Sequence, residues 1–214
     1  MIRTIATIGL LALLAACKTP PPHVDTTKFQ AAAPRSILIP PPVNHSLDVD
    51  APNYMLSTLP VPLAERGFYV IPVHTTKVVL EGEGLYEPER VAEQPPEALA
   101  KLFGADAILY VTINRWDAQY AVLDTVVTVD FNYRIVSKTG EELWSHHQWM
   151  RYQPGGSGNT GSLIGNLVAA AVKAALVRAT PNFMPLTRQA NDITFTTGPS
   201  SLPDGPYALP AAAR

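Results

Sequence analysis

Residues 127–135 read VTVDFNYRI, and in this stretch apolar and polar side chains alternate without exception. Successive side chains of a β-strand point to opposite faces of the sheet, so this strand has one apolar face and one polar face. The pattern is typical of a sheet with one buried and one solvated face. The predicted buried residues are Val127, Val129, Phe131, Tyr133 and Ile135, and the predicted exposed ones are Thr128, Asp130, Asn132 and Arg134.

Two further strands flank this one along the chain. Residues 107–116 are rich in Ile, Tyr, Val and Thr, which favour strands. Residues 138–141 read KTGE and predict a hairpin turn, after which residues 143–152 form the return strand. The three strands are predicted to form an antiparallel meander.

A βαβ unit is predicted over residues 36–73. The apolar run at 36–39 reads as a short buried strand that ends at Pro40, and residues 68–73 read as the second strand. Between them, Asp50 and Pro52 are typical of a helix start, and Gly67 is a natural stop. Prolines 60 and 62 are expected to kink or split this helix.

The remaining segments are predicted as helices, loops and a tail. Residues 74–94 are helical in part, and a short helix runs from Pro95 to Phe103, where Gly104 ends it. After a flexible loop at 155–161, residues 163–179 form an alanine-rich helix, whereas from Pro181 onward no helical or strand period is visible. We therefore predict an α/β fold, a mixed sheet with helices packed against it, as a single domain over residues 36–195. The proline-rich tail 196–214 is either an extended wrap or disordered.

The N-terminus has the parts of a secretory signal. Residues 1–16 contain Arg3, a short apolar run and small residues directly before Cys17. The run is shorter than the roughly 20 residues that a membrane-spanning helix needs, so it is a targeting segment. Leu14-Ala15-Ala16-Cys17 resembles the bacterial lipobox, which implies cleavage before Cys17 and acylation of this residue. Cys17 is the only cysteine in 214 residues.

Residues 17–35 are predicted as an acylated, flexible tether because they contain a run of prolines and few large apolar residues. Without a second cysteine no internal disulfide forms, so an apolar core must stabilise the domain. The formal net charge of −2 gives no indication of nucleic-acid binding. Lys18 follows the cysteine, and by resemblance to known sorting rules this favours the periplasmic face of the outer membrane.

The sequence offers no catalytic, cofactor-binding or metal-binding constellation. The Gly155–Ser162 loop has glycines spaced as in a phosphate-binding loop, but Ser162 stands where that motif needs lysine. His146 and His147 are neighbours on a strand, so they point to opposite faces and cannot easily share a metal. The aromatic residues Trp116, Tyr120, Trp144 and Trp149 fit a core or cross-strand pairs better than a sugar or peptide site.

Several segments together resemble a family of bacterial outer-membrane lipoproteins of unknown function, represented by a neisserial surface antigen. The segments are residues 47–54, 56–58, 62–70, 103–110, 139–144 and 202–207. The resemblance implies a fold similar to the N-terminal domain of TolB and to LpoB, a lipoprotein that activates a peptidoglycan synthase. It also implies an association with CsgG-like secretion lipoproteins as partners. The resemblance contributes no catalytic residue.

Two functions remain open from the sequence. The first is a tethered, non-catalytic adaptor in a cell-envelope complex for secretion or cell-wall synthesis, acting through its sheet edge, loops and tail. The second is a periplasmic ligand-binding or hydrolytic protein that uses the Gly155–Ser162 loop. A deep polar pocket beside that loop would favour the second.

Overall fold

The computed structural model describes residues 25–120, 125–152 and 183–210. Within these ranges the strands form one six-stranded mixed sheet, which confirms the predicted α/β architecture. The strands are β1 (Ser36–Leu38), β2 (Val43–Asn44), β3 (Tyr69–Val70), β4 (Ala107–Tyr120), β5 (Thr125–Ser137) and β6 (Glu142–Tyr152). Their order is β3-β1-β4-β5-β6, and β2 also pairs with β4.

Seven α-helices and one π-helical turn accompany the sheet in the described ranges. They are α1 (Thr27–Ala32), α2 (Ala51–Thr58), α3 (Pro60–Glu65), α4 (Val73–Gly82), α5 (Pro88–Ala92), α6 (Pro96–Phe103), α7 (Met184–Asp192) and the π-turn Ile193–Thr197. In this part of the chain no helix has the length and apolar character needed to cross a bilayer.

Strands β4, β5 and β6 form the predicted antiparallel meander. In β5 the five residues predicted to be buried are at most 2% exposed, and Asn132 and Arg134 are exposed as predicted. The prediction of an exposed Thr128 is wrong, because this residue is only 6% exposed.

Gly140 closes the β5–β6 hairpin with a φ of +87°, a conformation that glycine adopts without steric cost. The register shifts between Ile135 and Val136, and the extra residue lies in β6, where the neighbours Leu143 and Trp144 are both buried in the same core.

The βαβ prediction is also confirmed, because β1 pairs in parallel with both β3 and β4. The connecting helix is split at Pro60 into α2 and α3, as the prolines predict. Prolines lack an N–H donor, so the run at residues 40–42 interrupts the ladder along β4. Strand β1 pairs with Ala107 and Ile108, and β2 pairs further along with Thr112 and Ile113.

Each face of the sheet has its own apolar core. The larger core takes residues from α1, α2, α3 and α7 and from the face of β5 that holds Phe131. The smaller one joins Leu38, Ile108 and Val136 to Leu80 of α4, Val91 of α5 and Leu99 of α6. Helices α4 to α6 therefore cover the end of the second face where β1 lies. Further along β4, β5 and β6 this second face is polar.

The prediction of an extended tether through residue 35 is wrong for its last part. Residues 27–32 form α1, and Phe29 is only 2% exposed. Its ring packs edge-on against the ring of Phe68, with 5.7 Å between the centroids. The burial of one aromatic side chain holds this short helix on the domain. Because a single apolar residue produces no helical periodicity, the sequence contains no signal for the helix.

Helix α7 is the second element that the sequence did not predict. Its buried side chains include two polar residues, Thr187 and Asn191, so the apolar stripe is incomplete. The Tyr133 hydroxyl donates to Asn191 Oδ1 at 2.6 Å, and Asn191 Nδ2 donates to Thr58 Oγ1 at 2.8 Å. These contacts satisfy a buried amide, which is what makes asparagine acceptable in the core.

Candidate interaction surface

Two rows of side chains cross the uncovered part of the second sheet face. Strand register places Tyr110, Arg134 and Ser145 side by side in one row. The second row consists of Thr112, Asn132 and His147. We call these six residues the polar face. Arg134, Asn132, Ser145 and His147 are all exposed, whereas Tyr110 and Thr112 are half-buried.

A cavity of about 420 Å³ opens over the polar face. One of its walls is apolar and consists of Pro40, Pro41, Val43 and Ala92. The cavity thus lies where the proline run between β1 and β2 and the end of α5 approach the polar rows.

Arg134 carries the positive charge of this cavity. Its guanidinium carbon lies 5.0 Å from the centroid of the Tyr110 ring, a cation–π contact that holds the side chain against the sheet. Among the described residues no carboxylate lies within salt-bridge distance of Arg134. The charge is therefore oriented by a ring and is not neutralised by an acid.

The Tyr110 hydroxyl is a second unusual group. Its oxygen is buried and finds no hydrogen-bond partner in the described part of the chain. Burial raises the pKa of Tyr110 above its ordinary value, and the nearby Arg134 charge lowers it by a smaller amount. The phenol therefore keeps its proton at neutral pH and remains a hydrogen-bond donor.

Next to these rows, Asp130 lies between two donors. Asn114 Nδ2 donates to Asp130 Oδ1 at 2.9 Å, and His147 Nε2 lies 2.8 Å from the same oxygen. The predicted separation of the two histidines is confirmed, because His146 pairs with Tyr133 of the core face and stacks on Trp144. The described residues contain no group of three or more His, Cys, Asp or Glu suited to a metal ion.

The aromatic residues divide between core and surface. Trp116 and Trp144 are both 2% exposed, which confirms the core interpretation for these two. Trp149 is 52% exposed and lies in register with Asp130, on the same side of β6 as His147. The prediction of a core or cross-strand role is wrong for Trp149. Strand alternation was the signal that could have shown this, because positions 144 and 149 lie an odd number of residues apart on one strand. The side chain of Tyr120 lies outside the described residues.

The loop after β2 presents apolar side chains to water. Leu47 is fully exposed and Val49 is 85% exposed, yet hydrogen bonds hold the loop between them. Asn44 Nδ2 donates to the Asp48 carbonyl at 2.8 Å, and the Asp50 N–H donates to Asp48 Oδ1 at 2.9 Å. We call residues 45–50 the apolar loop. It is ordered by its own polar groups and not by burial of its apolar ones.

Residues 198–208, the C-terminal segment, bind the turn between α3 and β3. The N–H of Tyr207 donates to the Gly67 carbonyl at 3.0 Å. Arg66 reaches the same segment and the π-turn: Nη1 contacts Asp204 Oδ1 at 2.9 Å, and Nη2 donates to Ser201 Oγ and to the Thr196 carbonyl, each at 2.7 Å. Two segments of the predicted family pattern, residues 62–70 and 202–207, therefore meet in space.

Several predictions fall outside the described residues. These are the signal peptide and Cys17, the tether up to residue 24, the Gly155–Ser162 loop and the helix at 163–179. They remain predictions.

Comparison with known proteins connects this architecture to a family. A family model described as "Putative lipoprotein GNA1162-like" matches residues 24–207, which include every segment of the pattern noted above. The chain belongs to the GNA1162-like family. The family resemblance inferred from the sequence is thus confirmed.

Named relatives of the GNA1162-like chain come from Neisseria meningitidis. The chain is 39% identical over 170 residues to the lipoprotein NMB1124/NMB1162 of serogroup B, covering 77% of this chain and 78% of the relative. The crystal structure of lipoprotein GNA1162 from Neisseria meningitidis superposes with a TM-score of 0.56 at 34% identity, covering 68% of this chain and all of that one. The LpoB C-terminal domain from Salmonella enterica gives a TM-score of 0.37 at 21% identity, covering 55% of this chain and 84% of that one.

Proposed function

We propose that this GNA1162-like chain is a lipid-anchored, non-catalytic adaptor of a cell-envelope complex, serving secretion or peptidoglycan synthesis. Acyl chains on Cys17 hold it at the periplasmic face of the outer membrane. The lipobox-like residues before Cys17, the lysine after it and membership of a family described as lipoproteins support the anchoring. Two or more acyl chains give stable membrane attachment, since each buried methylene contributes about 0.8 kcal/mol.

The apolar loop is the observation that carries the adaptor role. A leucine transferred from water into an apolar pocket is stabilised by about 1.5–3 kcal/mol, so the exposed Leu47 is available to a partner. Because the loop is already ordered by Asn44, Asp48 and Asp50, little conformational entropy is lost when it binds.

The charges around the apolar loop limit the kinds of surface that a partner can present to it. Asp48 and Asp50 flank Val49, and neither forms an ion pair among the described residues. Carboxylates beside exposed apolar side chains disfavour an anionic lipid surface and complement an apolar groove with a basic rim. We infer that the partner is an envelope protein with such a groove.

Strand β6 offers a second route of contact. It is the last strand of the sheet order, and within the described ranges no strand pairs with its outer edge. An extended segment of a partner can add to such an edge through backbone hydrogen bonds. The apolar loop and the β6 edge together give the adaptor two contacts of different chemistry.

Site-specific photocrosslinking in intact cells tests the proposal. A photoreactive amino acid replaces Leu47 in the full-length chain, and a matched chain carries it at Val78, a 52% exposed residue of α4. We expect one envelope protein to crosslink at position 47 and not at 78, and the yield to fall in Cys17→Ser. Equal adducts at both positions, or none at 47, would contradict the adaptor role of the loop. An unchanged yield and unchanged membrane fractionation in Cys17→Ser would contradict the anchoring.

A further inference from the structure

The polar face combines one unneutralised cation with neutral hydrogen-bond donors. Arg134 supplies the guanidinium, and Thr112 and Asn132 contribute a hydroxyl and an amide to the same cavity. No aspartate or glutamate lines the cavity within the described residues.

Two carboxylates, those of Glu142 and Asp130, border the cavity, where they are bound by Ser145 and His147 respectively. Neither carboxylate pairs with Arg134. Arg134 therefore gives the cavity a local positive charge that can attract an anionic group.

We propose that this cavity binds the carboxylate of an acidic side chain, presented by a peptide segment of the partner. Arg134 binds the carboxylate through its planar N–H groups, the interaction that guanidinium and carboxylate geometry favours. The amide of Asn132, which lines the same cavity, is the neutral donor beside it.

The charge count favours a carboxylate over a phosphate. Arg134 is the one permanent cation among the described residues that line the cavity, and His147 is already engaged with Asp130. A phosphate group carries about −1.5 to −2 charges at neutral pH and is usually held by clustered basic residues. The single positive charge of the Arg134 guanidinium balances the single negative charge of a carboxylate.

The opposite wall explains why the carboxylate belongs to a peptide side chain. Pro40, Pro41, Val43 and Ala92 present apolar surface to the same space of about 420 Å³, which far exceeds what a carboxylate group occupies. Methylene groups of a glutamate side chain can pack on these prolines while its head group reaches Arg134. A bare small anion leaves this wall in contact with water.

This inference rests on the proposed adaptor function, because it adds a second chemical requirement to the same partner. Its test does not involve the apolar loop, so the two proposals fail separately. Crosslinking at Leu47 without carboxylate binding at Arg134 leaves an adaptor with a different recognition mode. Carboxylate binding without crosslinking leaves a ligand site without an adaptor.

Saturation-transfer NMR on the mature full chain in detergent tests the carboxylate site. The probes are acetyl-glutamate amide and its neutral isostere acetyl-glutamine amide, which differ only in the charged head group. We expect the glutamate probe to bind about tenfold or more tightly than the glutamine probe, the scale of one charge-assisted contact. Arg134→Gln should abolish this preference.

Arg151→Gln is the matched control, because it removes one arginine from the same side of the sheet, on β6 in register with Thr128. It should keep the preference for the glutamate probe. Equal binding of both probes, or an equal loss in Arg151→Gln and Arg134→Gln, overturns the proposal. If butyrate, which lacks the peptide groups, binds as tightly as the glutamate probe, the site takes free organic acids and the assignment to a peptide is wrong.

Discussion

The N–H of Gly205 donates a hydrogen bond of 2.7 Å to the carbonyl oxygen of Arg66, and this contact seats the C-terminal segment on the turn that follows α3. Gly67, the next residue in that turn, has a φ of +86°, and a Cβ placed on it would lie 2.1 Å from the backbone nitrogen of Ala208. The backbone of the C-terminal segment therefore packs so closely on Gly67 that no side chain fits at this position.

Gly67→Ala should lower the free energy of unfolding by about 2 kcal/mol or more, because it adds a steric clash to the cost of a left-handed alanine. Urea denaturation of the mature chain measures this loss. Gly84→Ala is the control, since Gly84 has a φ of +77° but no atom within 4 Å of the position that a Cβ would take. That variant should lose only about 1 kcal/mol. Equal losses would show that the C-terminal segment does not pack on Gly67.

Arg66→Gln should destabilise the domain by at least about 2 kcal/mol, because hydrogen bonds to charged groups contribute about 1.5–3 kcal/mol each. The change removes the contacts to Asp204, Ser201 and the Thr196 carbonyl. Arg115→Gln breaks an exposed ion pair with Asp117 and should change stability by less than about 1 kcal/mol. Thermal unfolding compares the two, and limited proteolysis should cut the C-terminal segment faster only in Arg66→Gln.

Phe29→Ala should cost about 3 kcal/mol, since it removes a buried aromatic ring from its contact with Phe68. Lys28→Ala, next to it, removes an exposed ion pair with Glu141 and should be nearly neutral. Chemical denaturation distinguishes the two. If Phe29→Ala were as neutral as Lys28→Ala, α1 would belong to the tether and not to the domain.

The buried Tyr133 predicts a loss of stability at high pH. Burial raises the pKa of Tyr133 well above its ordinary value of 10.0 in the folded state. Above pH 10 the unfolded chain releases this proton while the folded chain retains it, so the free energy of unfolding falls as pH rises. The contribution is complete below pH 10 and is lost progressively above it.

Denaturation between about pH 9 and pH 11.5 should therefore show a shallower decline in Tyr133→Phe than in the unaltered chain. Tyr86→Phe is the comparison, because Tyr86 is 69% exposed. Its pH profile should parallel that of the unaltered chain. Parallel profiles for all three proteins would rule out Tyr133 as a source of the alkaline loss.

The strands were predictable because burial of one face leaves a period of two in the residues, as in β5. The split of the helix at Pro60 was also predictable, because it follows from the chemistry of proline. Helix α7 was not, since Asn191 is buried through hydrogen bonds to Tyr133 and Thr58, which are distant in the sequence. In the sequence, a buried helix face that contains hydrogen-bonded polar residues looks the same as a polar face exposed to solvent.

The polar face shows the same limit. Arg134 was predicted on the solvated side of its strand, and that is where it lies. Its pairing with Tyr110 depends on strand register, which the sequence does not specify. Residues 47–50 of the apolar loop belong to the family pattern, but the exposure of Leu47 depends on hydrogen bonds within the loop, which the sequence does not specify.

The two ends of the described domain touch. An Arg35 side-chain nitrogen donates to the Tyr207 hydroxyl at 3.0 Å, and Phe29 borders the same groove as Pro206. The eight peptide steps from Cys17 to Asp25 reach at most about 28 Å, so an anchored chain keeps this corner close to the membrane. A reporter fused to the C-terminus would then emerge between the domain and the bilayer, whereas an insertion in an exposed loop elsewhere would project away from the membrane.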